Sequence, residues 1–338
     1  MKKIFIANTD LDVGGGENSL VSFLANMDLD QYQVDLGILQ PKLGMADRLD
    51  PRINIIKLFE TPTLGEYDTA IGYKQGKSTA FAVNRVKAKR KIAFFRHGTI
   101  KYKGISKLYY RNIYRKTDCI ITLNEDLKTR LSQHFSIPLD KISIVEDLFD
   151  REEFEKKSAE YTVKKDADYI LSTVSRIVPV KKIDLIPLIA FNLTLGGISN
   201  FKWYIVGDYK DRKYYDKCVS LAKHFNLCDR IIFTGEKSNP MPYIKASDLY
   251  VHVSEAESWC RSITEALALR VPVLSTDTIG GKAQIISGKN GQLCQTNNMD
   301  DICEKLISML ENINDIKANQ PEFIQNNRQI IEKYYRLF

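Results

Sequence analysis

Short runs of β-branched and other apolar residues alternate along the chain with longer amphipathic stretches. The apolar runs have the length of buried strands, and the stretches between them have helical periodicity, which is typical of parallel α/β units. The runs that predict strands are KIFIAN, QVDLGIL, NIIKL, TAIGY, KIAFFR and CIITLN in the first half and YILSTVSR, KWYIVG, RIIFTG, LYVHVS and VPVLST in the second. The stretches that predict helices are 17–27, 105–116, 125–135, 182–195, 213–225, 262–270 and 301–312.

Two consecutive series of this kind predict two Rossmann-like domains, which suits a length of 338 residues. We place the N-terminal domain at 1–155 and the C-terminal domain at 165–320. The charged segment 151–168 lacks a strand pattern and is interpreted as the linker region. The tail 321–338 has a helical pattern and can pack back on the N-terminal domain.

Composition excludes several classes of protein. The 44% apolar content and the 34 aromatic residues exclude a disordered chain. No apolar run approaches the roughly 18 residues that predict a membrane-spanning helix. The N-terminal MKKIFIAN is interpreted as a first strand, not a signal peptide. Six scattered cysteines without a CxxC pair favour a reducing, cytoplasmic compartment: Cys119, Cys218, Cys228, Cys260, Cys294 and Cys303.

The net charge of +7 is unevenly distributed. The stretch from Arg85 to Lys116 contains 12 Lys or Arg residues, no acidic residue and six aromatic residues. A patch of this kind indicates an anionic partner, which can be a nucleic acid, a membrane surface or a phosphorylated substrate.

A glycine-rich loop, Gly14–Gly16, follows the first predicted strand and precedes a helix. It is either a phosphate or sugar cradle at a helix N-terminus or an ordinary turn. As a dinucleotide fingerprint it is incomplete, because the third glycine is missing.

Polar residues and glycines also follow predicted strands in the second half, where ligands bind in open parallel sheets. Arg176 and Lys181 can clamp a diphosphate, although an isolated basic loop is the simpler interpretation. Gly207 and Gly235 close two strands and are either close-approach points for a base or ribose or plain turns.

The strongest feature is SEAESWCRSITEALALRVPVLSTDTIGG. Glu257 lies in a loop after a strand, and Glu265 lies eight residues later, inside a helix that begins near Arg261 or Ser262. That helix N-terminus suits a diphosphate, and the two carboxylates suit hydroxyl groups of a ribose and a sugar.

The combined pattern resembles the retaining glycosyltransferases of family 4, whose GT-B fold has two Rossmann-like domains facing across a cleft. The resemblance is carried by Glu257-x7-Glu265, Ala266-Leu-Ala, Val271-Pro-Val, Gly280-Gly281 and Asn290-Gly291, and upstream by Arg176-x4-Lys181, Gly207-Asp208 and Phe233-Thr-Gly235. It covers nearly all of the second half. In the first half it is looser and rests on Gly14–Gly16, His97 and IVEDLFDREEF.

The resemblance implies that the C-terminal domain binds a nucleotide sugar and the N-terminal domain binds the acceptor. It implies that Arg176 and Lys181 contact the donor diphosphate, that Glu257 lies near the hydroxyls of the transferred sugar, and that His97 faces that sugar. Glu265 is implied to bind the ribose. The further implied donor-binding residues are Gly15, Gly16, Gly207, Asp208, Gly235, Trp259, Cys260, Arg261 and Ser262.

Such a site needs no metal, because two cations and a helix N-terminus can stabilise the departing diphosphate. In the second half, no Asp-x-Asp follows a predicted strand and no His/Cys ligand cluster is apparent, so we expect no metal and no cofactor beyond the nucleotide sugar as co-substrate. The sequence departs from the family in having Lys181-Lys182, Asp147-Leu148 and Glu257-Ser258-Trp259-Cys260, which leaves the donor sugar open.

The predicted helix 105–116 places Ile105, Leu108 or Tyr109, Asn112 and Ile113 near one basic-bordered face. It is either a solvated helix or a peripheral contact with an anionic membrane leaflet. The residues assigned to acceptor or membrane binding are Arg96, Lys101, Lys103, Lys107 and Arg111.

The resulting hypothesis is a cytoplasmic, metal-independent, retaining glycosyltransferase that can contact the inner face of the cell membrane. It would move a hexose or N-acetylhexosamine from a UDP-linked donor to a lipid-linked or oligosaccharide acceptor in capsule, lipopolysaccharide or other surface glycan synthesis. The alternatives are a dinucleotide-binding oxidoreductase or non-catalytic nucleotide-binding protein, and a nucleic-acid-binding protein that uses residues 85–116. No nucleic-acid-binding fold motif accompanies the basic patch, so we expect no nucleic acid partner.

Overall fold

The computed structural model describes residues 1–12, 14–60, 62–96, 98, 100–323 and 325–338. The chain forms two compact units. The first contains residues 1–150 and 325–338, and the second contains residues 151–324. Both are α/β units with parallel sheets, which confirms that part of the prediction.

The first unit has a seven-stranded parallel sheet in the order β3-β2-β1-β4-β5-β6-β7. Its strands are β1 (Lys2–Asn8), β2 (Tyr32–Ile38), β3 (Asn54–Lys57), β4 (Glu66–Gly72), β5 (Lys87–Phe94), β6 (Cys119–Thr122) and β7 (Ile142–Ile144). Its first four helices are α1 (Gly15–Ala25), α2 (Lys77–Arg85), α3 (Gly104–Arg115) and α4 (Glu125–Phe135). The central strands are buried on both faces, as parallel strands covered by helices must be.

The second unit has a six-stranded parallel sheet in the order β10-β9-β8-β11-β12-β13. Its strands are β8 (Tyr169–Val174), β9 (Phe201–Val206), β10 (Ile231–Gly235), β11 (Leu249–His252), β12 (Val273–Thr276) and β13 (Gly291–Cys294). Its helices are α5 (Arg151–Ser158), α6 (Ile186–Leu195), α7 (Arg212–His224), α8 (Met241–Lys245), α9 (Arg261–Ala268), α10 (Ile279–Gln284), α11 (Met299–Glu311) and α12 (Ile313–Asn319).

The last helix, α13 (Asn327–Tyr335), returns to the first unit. Tyr334 and Phe338 pack edge-on against Phe23, with ring centroids 5.0 and 6.2 Å apart. The apolar positions of the tail are therefore part of the first core. Short 3-10 turns complete the chain at Ala46–Arg48, Leu58–Glu60, Leu139–Lys141, Pro179–Lys181 and Ile183–Leu185.

The boundary between the two units differs from the predicted domain boundary. The units divide between Asp150 and Arg151, not at 155–165, and residues 321–323 belong to the second unit. The segment interpreted as a linker contains α5, which packs against α8 and α9. Phe154 is its buried anchor, and its other residues are mostly charged, which is why the pattern did not indicate a helix.

Two strands and several short helices were also missed. The missed strands are β7 and β13, and the missed helices are α2, α5, α8, α10 and α12. β7 and β13 are edge strands of three and four residues, too short for a clear apolar run.

Among the described residues, no helix has the length and apolarity needed to cross a bilayer.

Candidate functional site

The carboxyl ends of β8 and β11 carry the two predicted cations and the first predicted carboxylate. After β8 the chain turns through Arg176, which is exposed and has no recorded side-chain partner in the part of the chain described. The 3-10 turn Pro179–Lys181 then directs Lys181 inward, where its Nζ contacts Oε1 of Glu257. The fold therefore joins Lys181 and Glu257 directly, while Arg176 remains available to a ligand.

Glu257 is largely buried, with 13% of its side chain exposed. His252 Nε2 lies 3.3 Å from its Oε1, and the Ser254 hydroxyl donates to the same oxygen at 3.4 Å. Burial opposes ionisation, but His252 and Lys181 outweigh burial and lower the pKa of Glu257 to about 2. The carboxylate is thus charged at neutral pH and is a strong acceptor for hydroxyl groups.

Side-chain hydrogen bonds stabilise the turn between Glu257 and α9 and the first residues of the helix. The indole N–H of Trp259 donates to Thr264 at 3.1 Å, and the Ser262 hydroxyl donates to the carbonyl of Val174 at 3.1 Å. A Cβ at Gly280 would lie 2.9 Å from the backbone nitrogen of Trp259, so α10 can approach this turn only with glycine there. The first-turn N–H groups of α9 begin at this well-supported turn.

Glu265 lies one turn inside α9 and is 7% exposed. Its Oε1 accepts from Nε of Arg261 at 3.2 Å. Burial raises the pKa of Glu265, and the charge of Arg261 opposes that shift. Arg261 also lies 5.7 Å from the ring centroid of Phe154 in α5. The predicted ribose-binding carboxylate is therefore buried beside a cation, with α5 close by.

Gly207 and Gly235 have structural explanations that the sequence left open. A Cβ at Gly207 would lie 1.8 Å from the carbonyl oxygen of Ser175, so glycine is required where β9 ends against the loop after β8. Gly235 has φ +74° and accepts a hydrogen bond from the Gly207 N–H at 3.1 Å. The Asp208 carboxylate accepts from the N–H of Lys210 at 3.2 Å and stabilises the same turn. These three residues shape the strand ends beside the cation-bearing loop.

In the first unit, the glycine-rich loop leads into α1 at Gly15, and Gly15 and Gly16 are exposed. Glu17, in the first turn of α1, is buried and folds back toward Gly14, where a Cβ would lie 2.6 Å from its Oε2. Its Oε1 pairs with Nζ of Lys74. A carboxylate of the protein thus occupies the neighbourhood in which the cradle interpretation places a phosphate.

His97 lies outside the described residues, so its predicted role remains a prediction. Arg96, which was assigned to acceptor or membrane binding, lies in an internal network instead. Its side chain is 12% exposed, pairs with Asp147, and donates to Ser19 at 2.5 Å and to Tyr73 at 2.8 Å. The guanidinium also lies 4.7 Å from the Tyr73 ring centroid, so Arg96 is committed to the packing of its own unit.

The basic stretch divides into a neutralised part and an unpaired part. On β5, Lys87 pairs with Glu66 and Lys89 with Asp68, at 2.5 and 2.7 Å. No ion pair is recorded among described residues for Lys101, Lys103, Lys107, Arg111, Arg115 or Lys116, which lie on or beside α3.

The burial of α3 changes along its length. Ile113 and Tyr114 are buried, whereas Ile105, Leu108 and Tyr109 are 87%, 63% and 49% exposed. The helix places the predicted positions along one side, as their spacing indicates, but that side is buried at the end of the helix and exposed at its beginning.

The expectation of no His/Cys ligand cluster is also wrong. Candidate ligand atoms of His252, Glu257 and Cys260 lie within 4.8 Å of one another. However, Cys260 faces Nδ1 of the imidazole and Glu257 faces Nε2, and Lys181 contacts the same carboxylate oxygen. A metal ion there would meet the like charge of the Lys181 ammonium beside the same carboxylate. The expectation of no metal stays a prediction.

Sequence reasoning missed His252 as a site residue because it was counted within the strand LYVHVS. Its signal was present, since Tyr250, His252 and Ser254 alternate with apolar residues and a strand places alternate residues on one face. All three are buried, and they bond to Ser262 in α9, to its N-cap residue Cys260 or to Glu257. A polar alternation inside an otherwise apolar strand was therefore the detectable feature.

Residues 153–329 match the family model of the glycosyl transferases group 1, which is more than half of the chain. The chain belongs to this family.

Two curated relatives are similar over part of their length. The poly(ribitol-phosphate) alpha-N-acetylglucosaminyltransferase of Staphylococcus aureus is 30% identical over 49% of this chain and 32% of its own. The N-acetylgalactosamine-N,N'-diacetylbacillosaminyl-diphospho-undecaprenol 4-alpha-N-acetylgalactosaminyltransferase of Campylobacter jejuni is 26% identical over 61% of this chain and 54% of its own. The matches thus span from about a third to about half of these relatives.

Among solved structures, HepE of Anabaena, crystallised with UDP and glucose, is 17% identical and covers 100% of both chains with a TM-score of 0.77. At this level of identity the likeness concerns the fold. It confirms the expected GT-B class of two parallel-sheet α/β domains.

Proposed function

We propose that the protein is a retaining glycosyltransferase that uses a nucleotide sugar. The observation that carries this proposal is the group at the edge of the second sheet, where exposed Arg176, inward Lys181, ionised Glu257 and buried Glu265 surround the start of α9. Cations and a helix N-terminus suit a diphosphate, and two carboxylates suit the hydroxyls of a ribose and a sugar.

In the proposed reaction, the bond between the sugar C1 and the diphosphate oxygen breaks while the acceptor oxygen attacks the same face of C1. The acceptor proton moves to the departing phosphate oxygen, and Arg176, Lys181 and the first N–H groups of α9 stabilise the charge that develops there. This assignment uses no metal and no covalent intermediate on Glu257. Glu257 instead accepts hydrogen bonds from the sugar.

The relatives support the choice of substrate class. HepE was crystallised with UDP and glucose, and the two curated relatives are named for transfer of N-acetylhexosamines to a ribitol-phosphate polymer or a lipid diphosphate. We therefore propose a UDP-linked hexose or N-acetylhexosamine as donor and a lipid-linked or oligosaccharide acceptor of a surface glycan.

Thermal unfolding with a panel of nucleotides tests the donor. UDP and one UDP-sugar should raise the midpoint in a concentration-dependent way, whereas NAD should not. Arg176→Ala should weaken UDP binding, because it removes a cation without a side-chain partner in the described structure. Stabilisation by NAD alone would favour the dinucleotide-binding alternative and contradict this proposal.

We further propose that α3 contacts an anionic membrane surface from the cytoplasmic side, close to a lipid-linked acceptor. The helix exposes Ile105, Leu108 and Tyr109 beside cations without recorded ion pairs among the described residues. Apolar side chains that enter the interface, together with lysines and arginines that face anionic lipid, are the usual basis of peripheral binding.

Sedimentation with phosphatidylglycerol vesicles tests this contact. Binding should weaken as salt rises, and Ile105→Ser/Leu108→Ser should reduce it. The matched control is Leu195→Ser, which removes a leucine that is 68% exposed on the second unit. Binding that is absent, or equally reduced by the control, would contradict the membrane contact.

A further inference from the structure

A buried histidine links two acidic side chains beneath the turn that leads into α9. His252 is 1% exposed and Cys260 is 5% exposed. Cys260 Sγ lies 3.6 Å from Nδ1 of His252, and Glu257 Oε1 lies 3.3 Å from Nε2. The imidazole therefore has a thiol at one ring nitrogen and a carboxylate at the other.

This arrangement is compatible with two positions of one proton. Either a neutral imidazole accepts from the thiol at Nδ1 and presents an N–H to Glu257, or an imidazolium lies between a thiolate and a carboxylate. In both cases Nε2 carries a proton, and Oε1 of Glu257 lies 3.3 Å from it, within ion-pair range but without the alignment of a hydrogen bond. Cys260 is also the N-cap residue of α9, where the helix dipole favours a thiolate.

Lys181 and His252 compensate the same buried carboxylate, that of Glu257. In the structure, Lys181 Nζ and His252 Nε2 both approach Oε1 of Glu257. A diphosphate that recruits Lys181 would draw its charge away from Glu257. The buried carboxylate would then depend on His252 for compensation, because an unpaired buried charge is costly.

We propose that His252 is a positioning residue for Glu257, held in place by the Cys260 thiol, and that it keeps Glu257 oriented toward the hydroxyls of the donor sugar once Lys181 engages the diphosphate. This inference rests on the proposed function for the identity of the ligand. It assigns the histidine and the cysteine a role in sugar recognition and not in nucleotide binding.

The charges that face His252 support the assignment. They come from Cys260 at the start of α9, from Glu257 in the loop after β11 and, next to that carboxylate, from Lys181 after β8. Cys260 also interacts with Tyr250 on the same strand, and Tyr250 interacts in turn with Glu265 in α9. Although burial lowers the pKa of His252, Cys260 and Glu257 outweigh burial and raise it to about 9. Burial likewise opposes the shift at Cys260, and His252 lowers the pKa of that thiol.

The first experiment uses the protein without ligand. Nuclear magnetic resonance of ¹⁵N-histidine-labelled protein separates the four histidines, and the His252→Gln spectrum assigns His252. We expect His252 to titrate well above the usual value of about 6.5, and at a lower pH in Cys260→Ala and in Glu257→Gln. Titration near the usual value in all three proteins would overturn the proposed coupling of His252 to Cys260 and Glu257, whatever reaction the protein catalyses.

The second experiment separates sugar from nucleotide recognition. His252→Leu should lower kcat/KM for the UDP-sugar about 10- to 100-fold, while the Kd for UDP stays within about twofold of wild type. His252→Gln keeps an N–H that can reach Glu257 and should retain more activity than His252→Leu. The control, His224→Gln, changes an exposed histidine on α7 and should behave as wild type.

Each outcome of this comparison decides a separate point. Equal losses in UDP binding and transfer, or no advantage of His252→Gln over His252→Leu, would overturn the positioning role. If the wild type turns over no UDP-sugar, the proposed function fails. The histidine titration still tests the coupling of His252 to Cys260 and Glu257.

Discussion

The carboxyl edges of the two sheets differ in how their charges are compensated. In the first unit, Glu17 pairs with Lys74, and Arg96 pairs with Asp147, so the charges nearest the glycine-rich loop have internal partners. In the second unit, Arg176 has no recorded side-chain partner among the described residues, and Lys181 shares Glu257 with His252. The charges around the glycine-rich loop are thus compensated internally, whereas the loop after β8 keeps a cation for an external anion.

The two units also differ in how closely other atoms pack around their glycines. Gly207 and Gly280 are required because neighbouring backbone lies where a side chain would be, whereas nothing lies within 4 Å of a Cβ at Gly15. The glycine-rich loop is the more conspicuous feature of the sequence. The backbone around the isolated glycines of the second unit is nevertheless the more tightly packed. Rigid support of this kind is what positions backbone N–H groups toward a ligand.

The largest expected effect tests whether the cations of the second edge serve the reaction. Lys181→Ala should lower kcat/KM of transfer by about 10²- to 10³-fold, because it removes charge stabilisation from the departing diphosphate and a partner from Glu257. The matched control is Lys182→Ala, since Lys182 pairs at 3.1 Å with Glu255, whose side chain is 49% exposed, and such pairs contribute little. Initial rates with the preferred UDP-sugar measure both variants. Similar losses in the two would contradict the assignment of Lys181.

The sequence predicted the parts of the molecule that depend on local pattern. Most strands appeared as β-branched runs, and the Glu257 to Glu265 spacing placed one carboxylate in the loop and one in α9, as the structure has them. Both features need only neighbouring residues to be recognised.

Features that depend on distant partners could not be predicted in this way. Arg96 was interpreted as a surface cation because Asp147, its partner, lies far along the chain. His252 joined Cys260 and Glu257 without any spacing that indicates a site, and α5 was concealed by its charged composition. Long-range charge pairing and weakly amphipathic short helices are decided by tertiary packing, which a single sequence does not display.

The glycine comparison predicts a difference in stability. Gly207→Ala should lower the free energy of unfolding of the second unit by about 1–3 kcal/mol, because its Cβ would overlap the Ser175 carbonyl. Gly15→Ala should change stability by no more than about 0.5 kcal/mol. Urea unfolding followed by circular dichroism reports on both units, and tryptophan fluorescence isolates the second unit, since Trp203 and Trp259 both lie there. Equal effects of the two substitutions would show that packing does not distinguish these glycines.

The smallest effect concerns the paired charges of the first unit. Burial lowers the pKa of Lys74, whose side chain is 30% exposed and whose partner Glu17 is 9% exposed. Lys74→Met should cost about 1–2 kcal/mol, because it leaves the Glu17 carboxylate without its partner, and adding Glu17→Gln should recover part of that loss. The control, Lys89→Met, breaks a pair whose lysine is 82% exposed and should cost no more than about 0.5 kcal/mol. Urea unfolding followed by circular dichroism measures all three variants. If Lys74→Met is as mild as the control, Glu17 does not need Lys74, and the contrast between the compensated charges around the glycine-rich loop and the open loop after β8 fails at this pair.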